Sequence, residues 1–182
     1  PVVNNQRQLS LITVEIPADA AVSRGYLPYT RANILKQAFK LYGQPYDWGG
    51  LHDSVDCSGF IMDIYRCFGL AMPRNSGQQA ALPGPELRLE SLSTDQRMNQ
   101  LQQLAPGALL NLPGHVMMYL GETAGSPYII HALSSYGLPE PTGSQLQKIY
   151  HLQVSVTDLM LQRANGQTFL EALTSAKQLE LA

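Results

Sequence analysis

Charge is scarce in this sequence. Asp, Glu, Lys and Arg make up 14% of its 182 residues and the net charge is only −2, where an ordinary globular domain carries about 25% charged residues. So small a balance gives no electrostatic reason to expect a nucleic acid or an anionic membrane as partner. Long apolar runs are missing too. Stretches such as Val116 to Leu120 are far shorter than the roughly 20 residues that cross a bilayer. No internal repeat or low-complexity tract is visible. No charged-then-apolar signal segment opens the chain, which starts at Pro1 rather than Met, so targeting information is expected to lie outside it. Cysteine is nearly absent: there are two, Cys57 and Cys67. On one helix they would stand about 15 Å apart, well beyond the ~7 Å between Cα atoms that a disulfide tolerates, so both thiols are expected to be free. Free thiols suggest a reducing compartment, although an exported protein that keeps one often uses it chemically.

What is present suits one domain with a real core, since 45% of the residues are hydrophobic. Ile12, Val14 and Ile16 alternate with polar residues and predict a strand that Pro17 breaks. Thr30 can cap a helix over 31–42 with the stripe Ile34, Leu35, Ala38, Phe39 and Tyr42. Pro45 and Gly49-Gly50 mark a loop over 44–55. Asp56 is a favoured cap for a second helix over 57–68, which Gly69 and Pro73 end. Its stripe is Phe60, Ile61, Ile64 and Phe68, and one step back along it lies Cys57, so the thiol is expected to point inward.

Residues 70–106 read as mostly irregular, with a polar helical piece over 94–104. Strands are predicted over 108–112, 115–120, 128–132 and around 151–156, and a final helix begins at the capping-box pair Thr168 and Glu171, burying Phe169, Leu170, Leu173 and Ala176. Helices first and an antiparallel sheet afterwards imply an α+β domain.

A hairpin symmetric about residue 123 would set His115 opposite His131, Met117 opposite Ile129 and Tyr119 opposite Pro127. The two imidazoles would then lie roughly 4.5–5.5 Å apart at Cβ, presented to a helix whose first turn carries a thiol. Thiol, base and a group orienting the base are the parts of a cysteine nucleophile. The helix N-terminus favours thiolate and offers N–H groups to an oxyanion. Asp56 opposes it, so a protonated His115 is expected to be the main partner of the sulfur. Other residues have plainer readings: Cys67 as a small core residue, His52 and His151 as hydrogen-bonded histidines, Ser76 and Gln79 as a capping box. Cys57, His115 and His131 lack the CxxC or HxxxH spacing of a zinc site. Neither metal nor cofactor is expected.

The ordered strings around these residues carry more weight. Tyr46-Asp47-Trp48-Gly49-Gly50, Asp56-Cys57-Ser58-Gly59-Phe60, Pro73-Arg74-Asn75-Ser76-Gly77-Gln78-Gln79, Gly114-His115-Val116-Met117-Met118-Tyr119-Leu120-Gly121 and Ile130-His131-Ala132 resemble the successive signatures of the NlpC/P60 family. Five pieces in order make a specific match, over about residues 32–135. The resemblance implies a papain-like α+β fold and a triad of Cys57, His115 and His131. It implies cleavage of peptidoglycan stem peptides between D-glutamate and a diamino acid such as diaminopimelate, in the cell envelope, periplasmic or secreted. Tyr46, Trp48, Asp56, Ser58, Asn75 and Ser76 are the substrate-binding positions it suggests, Tyr46 also as an oxyanion donor. Asn75 stands where relatives that read a free N-terminal L-alanine carry an acid, and cannot supply that charge. Residues 21–45, with Gly25-Tyr26-Leu27-Pro28-Tyr29, resemble the approach to the catalytic domain in relatives that carry bacterial SH3-like domains upstream, so residues 1–25 are expected to be the remnant of such a region, with the catalytic domain over 26–182. The alternative is a catalytically silent wall-binding module on the same fold. Oligomeric state is left open.

Overall fold

The computed structural model describes residues 2–20, 22–140 and 146–179. Residues 1, 21, 141–145 and 180–182, parts of both expected segments, lie outside that description. The chain opens with a small antiparallel pair, β1 (Val2–Val3) and β2 (Leu9–Ser10). No strand forms over Ile12, Val14 and Ile16, which stay exposed. Alternation alone predicted one, but a strand needs a neighbour to pair with, and none is available there.

Helix α1 (Arg31–Lys40) starts where expected, with the Thr30 side chain accepting a hydrogen bond from the Asn33 N–H. Ile34 and Ala38 are buried, whereas Phe39 and Tyr42 of the expected stripe are exposed. Helix α2 (Cys57–Arg66) is capped by Asp56, which accepts from the Gly59 N–H at 2.8 Å. It buries Phe60, Ile61 and Ile64, each worth about 1.5–3 kcal/mol of transfer free energy. That stripe holds the helix, and with it Cys57, against the sheet.

Short elements follow: α3 (Ser76–Ala80), β3 (Glu86–Arg88) and α4 (Thr94–Leu101). The expected Ser76–Gln79 capping box does not form. Asn75 takes the cap position without a side-chain bond, and Gln79 instead donates to the Ser58 and Pro73 carbonyls. Then come β4 (Leu109–Leu112), β5 (His115–Thr123), β6 (Ser126–Pro139), β7 (Leu146–Asp158), the single turn α5 (Phe169–Ala172) and β8 (Ser175–Lys177). These build an antiparallel sheet in the order β3-β8-β4-β5-β6-β7, so the expected α+β arrangement holds. The final helix is corrected. Its Thr168–Glu171 capping box does form, but the helix stops after one turn because Ser175–Lys177 pair with both β3 and β4.

The hairpin register is corrected as well. Ala124 (φ 50°) and Gly125 (φ 79°) make the turn, the left-handed pair that a two-residue hairpin requires. Below an irregularity between Tyr119 and Gly121, Tyr119 pairs with Ile129 and Met118 with Ile130. This is two residues away from the expected register. A shift of two keeps every side chain on its face, whereas a shift of one would have turned an imidazole away.

Candidate active site

The sheet separates two cores, and the site lies where they meet. Val116, Met118, Ile130 and Ala132 pack against α2 in a cluster that includes Cys57. Met117, Tyr119, Ile129 and Leu133 pack on the other face with Phe169 and Leu170. His115 and His131 belong to that second face, their rings 6.0 Å and 5.4 Å from Phe169. The expectation that the hairpin presents its imidazoles to α2 is therefore corrected. Cys57 instead meets β5 through the backbone: Sγ lies 4.0 Å from the Gly114 carbonyl oxygen, and the Val116 N–H is directed at it. The two residues it touches flank His115. Regular β5–β6 pairing ends at Met118 and Ile130, which leaves that N–H free of the ladder.

His115 Nε2 and His131 Nδ1 are 2.9 Å apart, and His131 Nε2 is 3.1 Å from Thr157 Oγ1. Thr157 stands on β7 opposite Ile129, diagonal to His131. The contact through Nε2 leaves Nδ1 of His115 as its free ring nitrogen. Burial, with the nearby charge of Arg163, pulls the His115 pKa down to about 4. Burial, helped by His115 and His151, also holds His131 well below the ordinary range. Burial pushes the Cys57 thiol up, against the Val116 and Ser58 N–H groups and with the help of Asp56. Both shifts run towards a neutral thiol and a neutral imidazole, against the expected imidazolium beside thiolate, because desolvation opposes a helix-end effect of only about 0.3–1 kcal/mol.

Beside the sulfur, Asp56 is held in a dense network. Arg74 donates Nη1 to Asp56 Oδ1 at 3.0 Å and Nη2 to Oδ2 at 2.5 Å. The same Nη1 donates to Ser58 Oγ at 2.9 Å, and the Gly49 N–H donates to Asp56 Oδ2. Burial alone works to raise the Asp56 pKa, but the Arg74 bonds and charge with the Gly59 and Gly49 N–H groups together hold it below its usual value.

A cleft of about 340 Å³ opens at His115, lined among others by Tyr46, Trp48, Gly114, Ser134, Lys148, Arg163 and Phe169. Of the sequence-predicted positions, Tyr46 and Trp48 thus join His115 in the cleft. Burial raises the Tyr46 phenol, and the adjacent Cys57 and Asp56 add to it. Trp48 is 81% exposed, so it is a cleft wall and no packed turn. Asp56 and Ser58 are brought together with Arg74, and they, like Cys57, His131, Asn75 and Ser76, lie outside the cleft lining. His52 is exposed near Asp47, and His151 bonds to Ser155. Thr157, Lys148 and Arg163 were not singled out from the sequence. Their relevance depends on β7 register and on one turn, for which the sequence carries no local signal.

The NlpC/P60 family model matches residues 43–176, well over half of the chain. A dipeptidyl-peptidase 6 of Lysinibacillus sphaericus is 30% identical over 94 residues, covering 51% of this chain and 30% of that protein. A gamma-D-glutamyl-L-lysine dipeptidyl-peptidase of Bacillus subtilis is 30% identical over 93 residues, 50% of this chain and 30% of that protein. This chain therefore spans less than a third of the length of either relative. Among solved structures, an NlpC/P60 endopeptidase from Photobacterium damselae subsp. piscicida matches with a TM-score of 0.75 at 20% identity, over 97% of this chain and 44% of its own. The fold is thus the NlpC/P60 fold.

Proposed function

This chain belongs to the NlpC/P60 family, and from that premise we propose that it is a cysteine peptidase of peptidoglycan stem peptides, cutting the bond between D-glutamate and a diamino acid. The observation that supports the reading is the His115–His131 contact next to the backbone that Cys57 approaches, and we read the three residues as one relay. The sulfur touches the backbone on both sides of His115, whose Nε2 is tied to His131 at 2.9 Å. In this reading Sγ attacks the γ-carbonyl of D-glutamate while its proton passes to the free Nδ1 of His115. The oxyanion faces the N–H groups at the start of α2, with Tyr46 near. Collapse breaks the C–N bond, the leaving amine takes the proton from His115, and a thioester remains on Cys57. Water, giving a proton to His115, then releases the acid and restores the thiol. A neutral starting pair suits this sequence, because the proton moves as the bond forms.

His131 accepts from His115 only if its own proton sits on Nε2, where Thr157 Oγ1 receives it. Thr157 is thus a positioning residue for the tautomer. The activities of the relatives support a peptidoglycan substrate, and with it action in the cell envelope. Residues 1–25 fit the end of an upstream region of the SH3-like kind, since Leu9, Leu11, Ile12, Val14 and Ile16 are exposed apolar side chains suited to a covering domain.

The test is mass spectrometry of products from L-Ala-γ-D-Glu-diaminopimelate peptides. The native chain should release diaminopimelate, and Cys57→Ala should release none while keeping its circular dichroism and melting temperature. Turnover by that variant would end the assignment. The second reading is a silent wall-binding module on the same fold. Turnover decides, since a silent module would bind the diaminopimelate peptide and release no product from it.

A further inference from the structure

The two imidazoles and one phenyl ring form a closed triangle. The His115 and His131 centroids are 5.2 Å apart, and that of Phe169 lies 6.0 Å from the first and 5.4 Å from the second. Against His131 the phenyl is nearly perpendicular, at 88°. His131 is fully buried and does not line the cleft, whereas Phe169 packs on it and does. The phenyl is thus a wall between cleft water and the inner sides of both imidazoles. It is no match for water as a hydrogen-bond partner. The contacts left to the rings are His115 Nε2 to His131 Nδ1 and His131 Nε2 to Thr157 Oγ1.

The phenyl is fastened from two directions. It opens α5, a single turn too short to hold itself in place. The Phe169 N–H donates to the Leu161 carbonyl at 3.0 Å and the Leu170 N–H to the Leu159 carbonyl at 2.9 Å. A buried guanidinium holds the rest. Arg97, on α4, is 6% exposed and has no ion-pair partner among the described residues. It donates to four main-chain carbonyls instead: Glu90 and Leu92 before α4, and Leu170 and Leu173 on the far side. Burying a cation without a carboxylate is costly, and the carbonyl bonds offset that cost only while all four stay in reach. Arg97 therefore fixes α5, and with it the ring, to within the tolerance of a hydrogen bond.

We propose that Phe169 is a positioning residue for the imidazole pair, with Arg97 as its anchor: the phenyl keeps water from the contact between the rings and so holds them in one tautomer. A water beside them would donate to His131 Nδ1 or accept from His115 Nε2–H, and either ring would then be free to move its proton to the other nitrogen. With water excluded, Nε2–H of His115 stays on His131 and Nδ1 stays open to take a proton. The use of that open nitrogen rests on the peptidase reading.

Charge does not perform this task. Arg163, Lys148 and the Tyr46 phenol share the cleft with His115, and the Cys57 thiol lies beside the backbone next to it. His151 bears on His131 from β7, and Glu171, on α5 itself, is held by Thr168. Arg163 opposes proton uptake by His115, but none of these groups bonds to either ring. All of them remain when Phe169 is replaced, so a Phe169 variant isolates the effect of water.

The test is heteronuclear NMR of the imidazole nitrogens across pH in the full chain carrying Cys57→Ala, which reads tautomer and titration midpoint with no substrate present. In that parent, His115 should titrate near pH 4 and carry its proton on Nε2 at neutral pH. Adding Phe169→Ala should raise the midpoint by about one unit or more and mix the tautomers, as water enters beside the rings. Phe169→Leu, apolar and nearly as large, should leave both close to the parent. Arg97→Lys keeps the charge and loses the fork, and should move the midpoint in the same direction by less. Where the alanine chain does not fold, the smaller truncation Phe169→Val reads the same question. A midpoint and tautomer unmoved by truncation, or equal changes in the truncated and leucine chains, would overturn the role. An Arg97→Lys chain that melts lower yet titrates like the parent would overturn the anchor. With Cys57 restored, the acid limb of kcat/KM should follow the NMR midpoint from variant to variant, and a limb that stays put would take the phenyl out of the reaction. Absence of any hydrolysis by the native chain sinks the peptidase reading instead, and the NMR result stands without it.

Discussion

Arg74 stands beside the residues that flank Cys57 and Arg163 stands near His115, and they are in opposite electrostatic states. Arg74 is bonded to both oxygens of Asp56 and to Ser58. Its charge is neutralised, and its effect is to fix the residues on either side of the sulfur. Arg163 has no carboxylate among the described residues, and its charge bears on His115 and on the open cleft. A net charge of −2 conceals this: the field a substrate meets depends on which charges are already paired, not on their sum.

The comparison can be broken most strongly from the paired side. Arg74→Ala leaves the mostly buried Asp56 carboxylate with the Gly49 and Gly59 N–H groups and the Ser58 hydroxyl but no cation, and should lower stability by about 1–3 kcal/mol, read by urea denaturation. The sign with pH follows from Asp56. Its folded pKa is depressed, so its contribution is present above the unfolded value near 3.9 and is lost as pH falls through the folded one. Arg74→Ala should therefore flatten the loss of melting temperature below pH 4. A variant as stable as the native chain, with the same acid slope, would show the pair to be ornamental.

On the unpaired side the largest effect should come from Thr157→Val, which removes the acceptor for His131 Nε2–H. We expect kcat to fall about tenfold with KM unchanged, and Thr157→Ser to restore most of it. Equal losses from both variants would mean a packing role. Arg163→Gln should cost under about 0.5 kcal/mol in stability, as expected for a half-buried charge without an ion-pair partner among the described residues. Its signature is kinetic. The native acid limb of kcat/KM should lie near pH 4, where His115 gains its proton, and loss of the neighbouring cation should move that limb to higher pH. An unmoved limb would separate Arg163 from His115 and dissolve the contrast between the two arginines.

Much of the site was legible because it is local. Asp56 before a run with Phe60, Ile61 and Ile64 spaced three to four apart specifies a capped helix and an inward Cys57 within a dozen residues. The shared face of His115 and His131 was legible through parity, which survived a register error of two. The failures involve partners distant in sequence. Thr168 and Glu171 capped a helix as read, yet Ser175–Lys177 took strand partners on β3 and β4. Ile12, Val14 and Ile16 alternated without any edge to join. The family resemblance anticipated the fold and most of the ordered strings, but it carried no signal for Arg163, whose position follows from the contact at Gly137.

The sequence by itself determined the elements that carry the thiol and the two imidazoles, because caps, stripes and alternation act over a few residues. Only the tertiary structure decided that the sulfur lies beside the backbone next to His115 while the two imidazoles sit on the other face of the sheet. It alone decided that both imidazoles rest neutral and that one arginine is paired and the other free. Burial and charge pairing depend on what surrounds a group in space, and those neighbours come from segments far apart along the chain.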